Sequence, residues 1–322
     1  MLHITSGQSV DIQSTRLPGE VIYWMDVLHE GPAPAALSLA EMSAVRARFI
    51  AEAGWGPFDE VQNGFLDRDA RLARFAEHEE AILWFEHDLY DQLQLLQILD
   101  WFSVHDRSNT RLTLICIGSF PGIGRFTGLG QLNGTQLLSL LDQRRDISRI
   151  DLKLAAEGWF AYCSPDPSDI ETLLKRNIVA LPYLKGALTR HLEQFPSTAN
   201  GLSRSEQQIV DLVASGLNRF PDLFPADQDQ EERVFAGDLV IWSYIHRLAN
   251  AKTPLVQIAA DNSVHLTDAG HAVRQGQEDH VRLNGVDRWL GGVHLEGDDA
   301  EWRWDREGKR LAKKGGRRAH RG

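Results

Sequence analysis

The sequence predicts an α/β protein with a Rossmann-like parallel sheet in its N-terminal domain, then a helical connector and a winged-helix-like domain. Continuous apolar runs, of which residues 81–85 (AILWF) are the clearest, are typical of strands buried on both faces of a parallel sheet. These runs alternate with helical patterns, as in parallel α/β sheets. Beyond residue 200, the predicted order of three helices, a hairpin and a helix favours a winged helix. The predicted boundaries are 1–145 for the Rossmann-like domain, 146–200 for the connector, 201–285 for the winged helix, 286–308 for a C-terminal β-hairpin and 309–322 for a basic disordered tail.

In the first domain, start signals for helices follow the predicted strands. Strands are expected at residues 1–5, 20–24, 81–85 and 111–117, with helices over 38–53 and 59–77, from 89 and from 135. Ser38 is a predicted N-cap with Glu41 three residues later, which is the spacing of a capping box. Asp88 is placed to cap the helix from Leu89, and Asp91 stands in its first turn. The strand at 111–117 ends in a glycine-rich loop over 118–125.

The second half is predicted to be mainly helical up to two short strands. Helices are expected over 203–214, 220–229 and 235–249, strands over 254–259 and 263–266, and a closing helix capped by Thr267. Ser203 and Glu206 have the spacing of a second capping box. Residues 287–295 and 301–305 are predicted to pair as the C-terminal hairpin.

Composition excludes several functional classes. The net charge is −11, so the body of the protein repels nucleic acid on average, although the segment from Lys309 carries seven Lys and Arg and no acid. Cys116 and Cys163 are the two cysteines, and they form neither a zinc pattern nor an expected disulfide. No apolar run has the length of a membrane span, and the N-terminus lacks signal-peptide features. We therefore expect a cytoplasmic protein without membrane association.

The candidate site lies where the parallel strands end. Ligands of open α/β sheets bind beyond the carboxyl ends of the strands. Residues 6–9, 25–30, 86–91 and 118–125 follow four predicted strands and should therefore share one rim. The candidate catalytic residues are His87, Asp91, Glu86 and Asp26, and the candidate ligand-binding residues are Ser9, Gln92, Arg125, His29 and Glu30.

These residue types favour acid/base chemistry or a divalent metal. Histidine titrates near neutral pH, and a neighbouring carboxylate raises its pKa and orients its ring. Grouped carboxylates and imidazoles also suit a hard or borderline cation. A divalent metal is therefore left open as a cofactor, and the sequence does not identify which metal. The alternative is a purely structural role, in which Asp88 and Asp91 serve only to cap the helix and His87 hydrogen-bonds a carbonyl oxygen.

Phosphate binding is a second interpretation of the rim. Short polar turns before helices hold anions through backbone N–H groups, and residues 6–9 and 118–124 are such turns. Neither turn matches GxGxxG or GxxxxGK[ST]. Carboxylates at Asp88 and Asp91 would repel phosphate unless a metal bridged them. Arg125 is the best placed positive charge, whereas Arg46 and Arg48 are predicted to lie on a solvated helix face.

Three stretches resemble a bacterial family described only as domain of unknown function 1835. They are LHITSGQSV at the start, the pattern Trp24-x-Asp26-x-Leu28-x-x-Gly31-Pro32, and WFEHDLYDQ at 84–92. RHLEQFPSTANGLSRSE and DRWLGGVHL are similar to the C-terminal half of longer members. Family members usually begin with an Asn-Gly-Asp-Ser turn, where this chain has SGQS at 6–9, so a catalytic carboxylate in that turn is not expected. The resemblance implies the domain plan and no particular activity.

The leading hypothesis is binding of a small, nucleotide-like or phosphorylated ligand at the strand-end rim, with metal-assisted or acid/base catalysis left open. A ligand-responsive DNA-binding regulator that uses the winged helix is the alternative, and a structural protein–protein interaction module is the third. The predicted recognition helix over 235–249 has few cationic residues, so nucleic acid is an uncertain and only weakly supported partner. A packing or homodimerisation role for that module is also open.

Overall fold

The chain folds into two compact units. A computed structural model describes residues 1–107 and 109–313. The first unit comprises Met1–Leu188 with Gly291–Val293, and the second comprises Thr189–Leu290 with the described residues from His294 onward. The helical segment that the sequence separates as a connector at 146–200 is thus divided between the two units.

The first unit alternates strands and helices along the chain. Its strands are β1 (Leu2–Thr5), β2 (Glu20–Tyr23), β3 (Gly31–Pro32), β4 (Glu80–Phe85), β5 (Arg111–Cys116) and β6 (Arg145–Asp146). Its helices are α1 (Leu39–Glu52), α2 (Phe58–Ala73), α3 (Leu89–Val104), α4 (Gly134–Ser139), α5 (Arg149–Cys163) and α6 (Ser168–Leu174). Short 3-10 helices lie at Ile12–Thr15, Phe75–Glu77, Leu129–Gln131 and Leu141–Gln143. Helix α7 (Leu184–Leu192) crosses the boundary between the units in the sequence.

A five-stranded, mostly parallel sheet has the strand order β2-β1-β4-β5-β6. β1 lies parallel to both β2 and β4, with Ile4 opposite Ile22 and Leu83, and β4 lies parallel to β5. β6 is antiparallel to β5, a short edge strand that the sequence did not reveal. The predicted α/β class with a largely parallel sheet is confirmed. Because β1, β2, β4 and β5 run in the same direction, their carboxyl ends lie at one edge of the sheet, and the segments that follow them all begin there.

One face of the sheet is covered by chain segments that connect the strands. Ile82 and Trp84 of β4 point to the same side, and Ile115 pairs with Trp84 on the adjacent strand. These three side chains pack in one cluster with buried residues from two connecting segments: Val10, Ile12, Phe126, Leu129, Leu132, Leu137 and Leu140. The cluster places the segment around Leu129 close to the end of β4, where the candidate site lies.

A buried histidine in β1 is held in one tautomer. Trp84 Nε1 donates to His3 Nδ1 at 3.2 Å, and His3 Nε2 lies 3.3 Å from the carbonyl oxygen of Pro18. Nδ1 is therefore the acceptor and Nε2 carries the proton that is donated to Pro18. Burial lowers the pKa of His3, which agrees with a neutral ring in this position.

Helix α5 packs against α3 and therefore belongs to the first unit. Gly158 of α5 faces Leu96 of α3 so closely that a Cβ at position 158 would lie 2.9 Å from Leu96 Cδ2. The helical periodicity of residues 149–163 is visible in the sequence, but periodicity does not identify the partner of a helix.

The second unit consists of helices, a short hairpin and C-terminal strands. Its helices are α8 (Arg204–Ala214), α9 (Phe220–Asp229), α10 (Asp238–Ala249), α11 (Asp268–Arg274) and α12 (His280–Asn284). Its strands are β7 (Val256–Ile258), β8 (Val264–Leu266), β9 (Val286–Gly291), β10 (Val293–Gly297), β11 (Trp302–Asp305) and β12 (Arg310–Lys313), except that the residues Gly291–Val293 belong to the first unit. The capping box at Ser203 and Glu206 and the cap at Thr267 are present as predicted.

Strand pairing at the C-terminus differs from the prediction of a single hairpin over 286–308. β11 pairs with β12, with Trp304 opposite Leu311, so that the strands extend to Lys313 and include the first residues of the predicted tail. The buried side chains of Trp302 and Trp304 lie on β11 and account for this pairing. The rest of the predicted tail, 314–322, lies outside the described residues.

Arg190 is a buried ionic centre of the second unit. Its guanidinium forms two hydrogen bonds with the Glu231 carboxylate, at 2.9 and 2.7 Å, and donates to Ser205 Oγ at 2.9 Å. The face of the Phe235 ring lies 4.8 Å from its central carbon. These partners pair the charge of Arg190 inside the second unit.

Among the described residues, no helix combines the length and the apolar character needed to span a bilayer.

Candidate functional site

Three buried carboxylates meet at the carboxyl end of β4. Glu86 directly follows the strand, Asp88 is the N-cap of α3, and Asp91 lies in the first turn of that helix. All three side chains are less than one-tenth exposed. One carboxylate oxygen from each residue lies within 4.8 Å of those of the other two. We refer to Glu86, Asp88 and Asp91 as the carboxylate trio.

The backbone around α3 fixes the positions of the trio. Asp88 Oδ1 accepts a hydrogen bond from the backbone N–H of Asp91 at 3.1 Å, which confirms the predicted cap. Asp91 Oδ1 accepts from the backbone N–H of Glu86 at 2.9 Å. This bond connects the first turn of the helix to the end of the strand, so the strand-to-helix turn holds all three carboxylates in one place.

Glu86 is also bound from the opposite side of the site. The backbone N–H of Leu129 donates to Glu86 Oε1. The chain comes this close because residue 128 is glycine: a Cβ there would lie 2.3 Å from Glu86 Oε2. The segment at 128–131 therefore forms one wall of the site, a contact that no local pattern in the sequence indicates.

Ser6 and Tyr90 are two further site residues that the sequence analysis missed. The Ser6 hydroxyl hydrogen-bonds the Asp91 carboxylate, and the Tyr90 hydroxyl donates to the carbonyl oxygen of Ser6 at 3.2 Å. Both link the turn after β1 to the start of α3. The position of Ser6 in the first strand-end turn was the available signal, but the turn alone did not distinguish Ser6 from Ser9.

Burial and mutual repulsion shift the protonation of the trio. Burial, followed by the charge of Asp88, raises the pKa of Glu86 to about 8. Burial, followed by the charges of Asp88 and Glu86, raises the pKa of Asp91 well above its ordinary value. At neutral pH the trio therefore retains protons that isolated carboxylates would lose.

Gln92 serves mainly to hold the end of β4. Its side-chain amide donates to the carbonyl oxygen of Glu86 at 2.5 Å and lies 3.4 Å from Cys116 Sγ. The Cys116 thiol donates to the same carbonyl at 3.3 Å. Burial raises the pKa of that thiol, as expected for a core cysteine. Gln92 thus positions Glu86 through its backbone.

His87 lies on another side of the strand end. Its ring centroid is 5.9 Å from those of both Phe126 and Tyr183, and the side chain is buried. Gly118 allows this packing, since a Cβ there would lie 3.2 Å from His87 Cβ. The ring therefore packs in an aromatic environment at the beginning of the glycine-rich loop.

Asp26 is bound by a buried arginine. Arg46 Nε donates to Asp26 Oδ1 at 2.9 Å, and both side chains are almost completely buried. The same guanidinium donates to the carbonyl oxygens of Val27 at 2.8 Å, Glu30 at 2.7 Å and Pro32 at 3.2 Å. The prediction of a solvated Arg46 is wrong, because its donors organise the 26–32 loop. Arg48, two residues later, is exposed as expected.

The remaining predicted residues occupy different environments. His29 is buried, with its ring centroid 5.8 Å from that of Tyr90, and Glu30 is buried in the loop that Arg46 holds. Ser9 is exposed, and its Cβ lies 3.0 Å from the position that a Cβ of Gly130 would take. Arg125 is exposed in the glycine-rich loop. The structure thus brings Glu86, Asp91 and the missed Ser6 together, whereas Arg125 and Ser9 lie on more open parts of the rim.

Replacing Gly128 by Ala tests the close approach to Glu86. The new Cβ would force the Glu86 carboxyl or the 128–131 segment to move and would weaken the hydrogen bond from Leu129. We expect a loss of about 1–3 kcal/mol in the free energy of unfolding, measured by urea denaturation. Gly124→Ala in the same loop is the matched control, since a Cβ there has no neighbour within 4 Å. Equal stability of the two variants would contradict the contact.

The arrangement suits two kinds of chemistry. Closely spaced carboxylate oxygens are the ligands that Mg²⁺, Mn²⁺ and Ca²⁺ prefer, and a cation would relieve the repulsion among them. A carboxyl group with a pKa of about 8 can also exchange a proton near neutral pH, as general acids and bases do.

Comparison of the chain with protein-family models finds no match, and comparisons with curated proteins and with solved structures find none either. The resemblance to domain of unknown function 1835 therefore stays a prediction.

Proposed function

We propose that the first unit binds a small phosphorylated ligand, of which a nucleotide is one example, through a divalent cation held by the carboxylate trio. The observation that carries the proposal is the approach of three buried carboxylate oxygens to within 4.8 Å of one another at the end of a parallel strand. Cation coordination compensates buried like charges that otherwise cost free energy. The strand end is also where ligands of open α/β sheets bind.

The cation explains how an acidic rim could accept an anion. Phosphate alone would be repelled by Glu86, Asp88 and Asp91, whereas a divalent ion can bridge carboxylate and phosphate oxygens. The exposed Arg125 and the backbone of the glycine-rich loop are the groups best placed to add positive potential from the adjacent strand end.

While no cation is bound, acid/base chemistry is assigned to Glu86 more readily than to His87 or Asp26, because cation coordination would displace the Glu86 proton. The pKa of Glu86 near 8 places its proton exchange close to physiological pH. His87 packs against Phe126 and Tyr183, and Asp26 is paired with Arg46. We propose His87 as part of the wall of the ligand site and Asp26 as a residue that positions the neighbouring loop.

Isothermal titration with MnCl₂ at pH 6.5 and pH 8.0 tests the cation site. We expect one cation per chain, with tighter binding at pH 8.0, because the cation must displace the protons that the trio retains. Asp88→Asn should weaken binding by at least about tenfold while it keeps a capping oxygen. Asp142→Asn, an exposed substitution with the same change in charge, should bind like the unmodified protein.

A second experiment measures the melting temperature of the protein with ADP or inorganic phosphate, each in the presence and absence of Mn²⁺. Ligand at 100 times its Kd stabilises the folded protein by about 2.7 kcal/mol, which is readily measured. A shift that requires both cation and phosphate supports the proposal. Unchanged cation binding in Asp88→Asn, or no binding of cation at millimolar concentration, would exclude it.

We further propose the finer fold assignments as part of this function: a Rossmann-like first unit, and a winged-helix-like arrangement of α8, α9, α10, β7, β8 and α11. The order of these elements along the chain supports them. The exposed positions of α10 include Asp238, Leu239, His246 and Arg247, a set with little positive charge. This composition favours the ligand-binding proposal over a DNA-binding regulator.

A further inference from the structure

A cavity in the first unit lies between the start of α1, the C-terminal half of α3 and α5. Its volume is about 400 Å³, within the range of pockets that hold small molecules. Its lining includes Gln97, Asp100, Trp101 and His105 of α3, Trp159 of α5 and Met42 of α1. None of these residues belongs to the strand-end rim, so the cavity is a separate feature of the unit.

Asp100 brings an unbalanced negative charge to this cavity. No residue in 1–107 or 109–313 donates a hydrogen bond to its carboxylate or forms an ion pair with it. The side chain is partly buried, and burial raises its pKa to about 6. The carboxylate is therefore mostly ionised at pH 7.5, and its acceptor oxygens are available to a donor that enters the cavity.

Two tryptophans give the cavity an aromatic lining. Trp101 lies next to Asp100 on α3, and Trp159 lines the cavity from α5. The Trp101 ring is stacked on His105 with a centroid distance of 3.8 Å and an interplanar angle of 19°, and this stacking holds the indole in place. Indole rings attract cations through their negative faces and also pack against apolar groups.

Gln97 adds a hydrogen-bond donor to the lining of the cavity. Its side-chain oxygen accepts from Trp24 Nε1 at 2.8 Å, a buried bond that fixes the orientation of the amide. Its amide nitrogen donates to no residue in the described part of the chain. The cavity therefore combines one acceptor group, one donor group and an aromatic surface.

We propose that this cavity binds a small organic amine, whose ammonium group pairs with Asp100 while its apolar part packs against Trp101 and Trp159. A protonated primary amine supplies both the positive charge and the N–H donors that the Asp100 carboxylate lacks. An oxygen substituent on the amine could accept from Gln97. The proposal stands independently of the cation site.

The test follows the indole N–H signals of the ¹⁵N-labelled full-length chain during titration at pH 7.5. The probe is 2-phenylethylamine, and 2-phenylethanol is its neutral counterpart of similar size. Trp101→Phe and Trp159→Phe identify the two relevant signals by their disappearance. We expect the amine to shift both signals and to bind about tenfold more tightly than the alcohol.

Charge-matched variants decide whether Asp100 is responsible. In Asp100→Asn, the amine and the alcohol should bind equally weakly, whereas Asp142→Asn, at an exposed position away from the cavity, should keep the preference for the amine. Dispersion of the remaining indole signals reports that each variant is folded. Equal affinities for amine and alcohol in the unmodified chain, a preserved preference in Asp100→Asn, or shifts confined to other indoles would each overturn the proposal.

Discussion

Replacing Arg46 by Met should lower the free energy of unfolding by about 3–5 kcal/mol, the largest effect that we expect from a single substitution in the first unit. Methionine approximates the volume of the side chain and can retain its packing near Phe49, whose ring lies 5.0 Å from the guanidinium carbon. What it removes is every polar contact of the guanidinium. Asp26 would then be left buried without its cation, and three loop carbonyls would lose their donor.

The cost arises from groups that water cannot reach after the substitution. Asp26 is 1% exposed, and its second oxygen, Oδ2, has no hydrogen-bond partner among residues 1–107 and 109–313. Breaking a buried ion pair from one side leaves an uncompensated charge, which costs more than the pair contributed. The 26–32 loop should therefore lose its fixed conformation together with the stability.

Urea denaturation of the single and double variants tests this account. Arg48→Met is the control, an identical change at an exposed position of the same helix that should alter stability by no more than about 0.5 kcal/mol. Adding Asp26→Asn to Arg46→Met should recover part of the loss, because the unpaired charge is then absent. Strictly additive losses in the double variant would contradict the pairing.

Glu86→Gln should remove much of the pH dependence of stability in the metal-free protein. Burial and the charge of Asp88 raise the pKa of Glu86 to about 8 in the folded state, against 4.5 ordinarily. Between about pH 4.5 and pH 8, the folded state therefore holds a proton on Glu86 that the unfolded state has released. Stability from Glu86 is fully present below about pH 4.5 and is lost as the pH rises towards 8.

The slope of the free energy of unfolding against pH depends on how many more protons the folded state binds than the unfolded state. Each proton held only by the folded state changes the free energy of unfolding by about 1.4 kcal/mol per pH unit. Glutamine cannot ionise and keeps an oxygen that can accept from Leu129. We expect Glu86→Gln to be more stable than the unmodified protein at pH 8, and the difference to decrease steadily towards pH 5.

Urea denaturation in EDTA at pH 5, 6, 7 and 8 measures this difference directly. Groups that titrate equally in both proteins cancel in the comparison. Glu77→Gln, an exposed substitution with the same chemistry, should run parallel to the unmodified protein. If the Glu86→Gln profile ran parallel as well, the raised pKa would be wrong.

Local signals in the sequence identified most elements of the first unit. Apolar runs placed β1, β2, β4 and β5 within a residue or two, and the signal was clearest for β4, which is buried on both faces. Capping residues such as Ser38 and Asp88 located helix starts, since their side chains bond the backbone a few residues away. The strand-end rim followed from the parallel direction of these strands.

Contacts between distant segments could not be predicted in the same way. Arg46 lies on an amphipathic helix, where an arginine is ordinarily solvated, and its burial depends on carbonyls of a loop 14–19 residues earlier. The hydrogen bond from Leu129 to Glu86 joins residues 43 positions apart. Hydrophobic periodicity does not predict a hydrogen bond between residues so far apart in the sequence. Gly128, which lacks a Cβ, allows the close approach that this bond requires.

The segment from Gly118 to Leu129, which contains the glycine-rich loop, is anchored at both ends to the consecutive residues His87 and Glu86 that follow β4. Gly118 packs on His87, and the N–H of Leu129 binds Glu86, so the ten residues between these anchors form a closed loop. The entropy of closing a loop grows only slowly with its length, by about 0.6 kcal/mol for each doubling. Insertions at the exposed part of this segment, near Gly122 and Gly124, would therefore change the size and shape of the rim at small cost to stability, while Phe126, Gly128 and the carboxylate trio stayed in place. Ligand selectivity and cation binding could thus evolve separately in this fold.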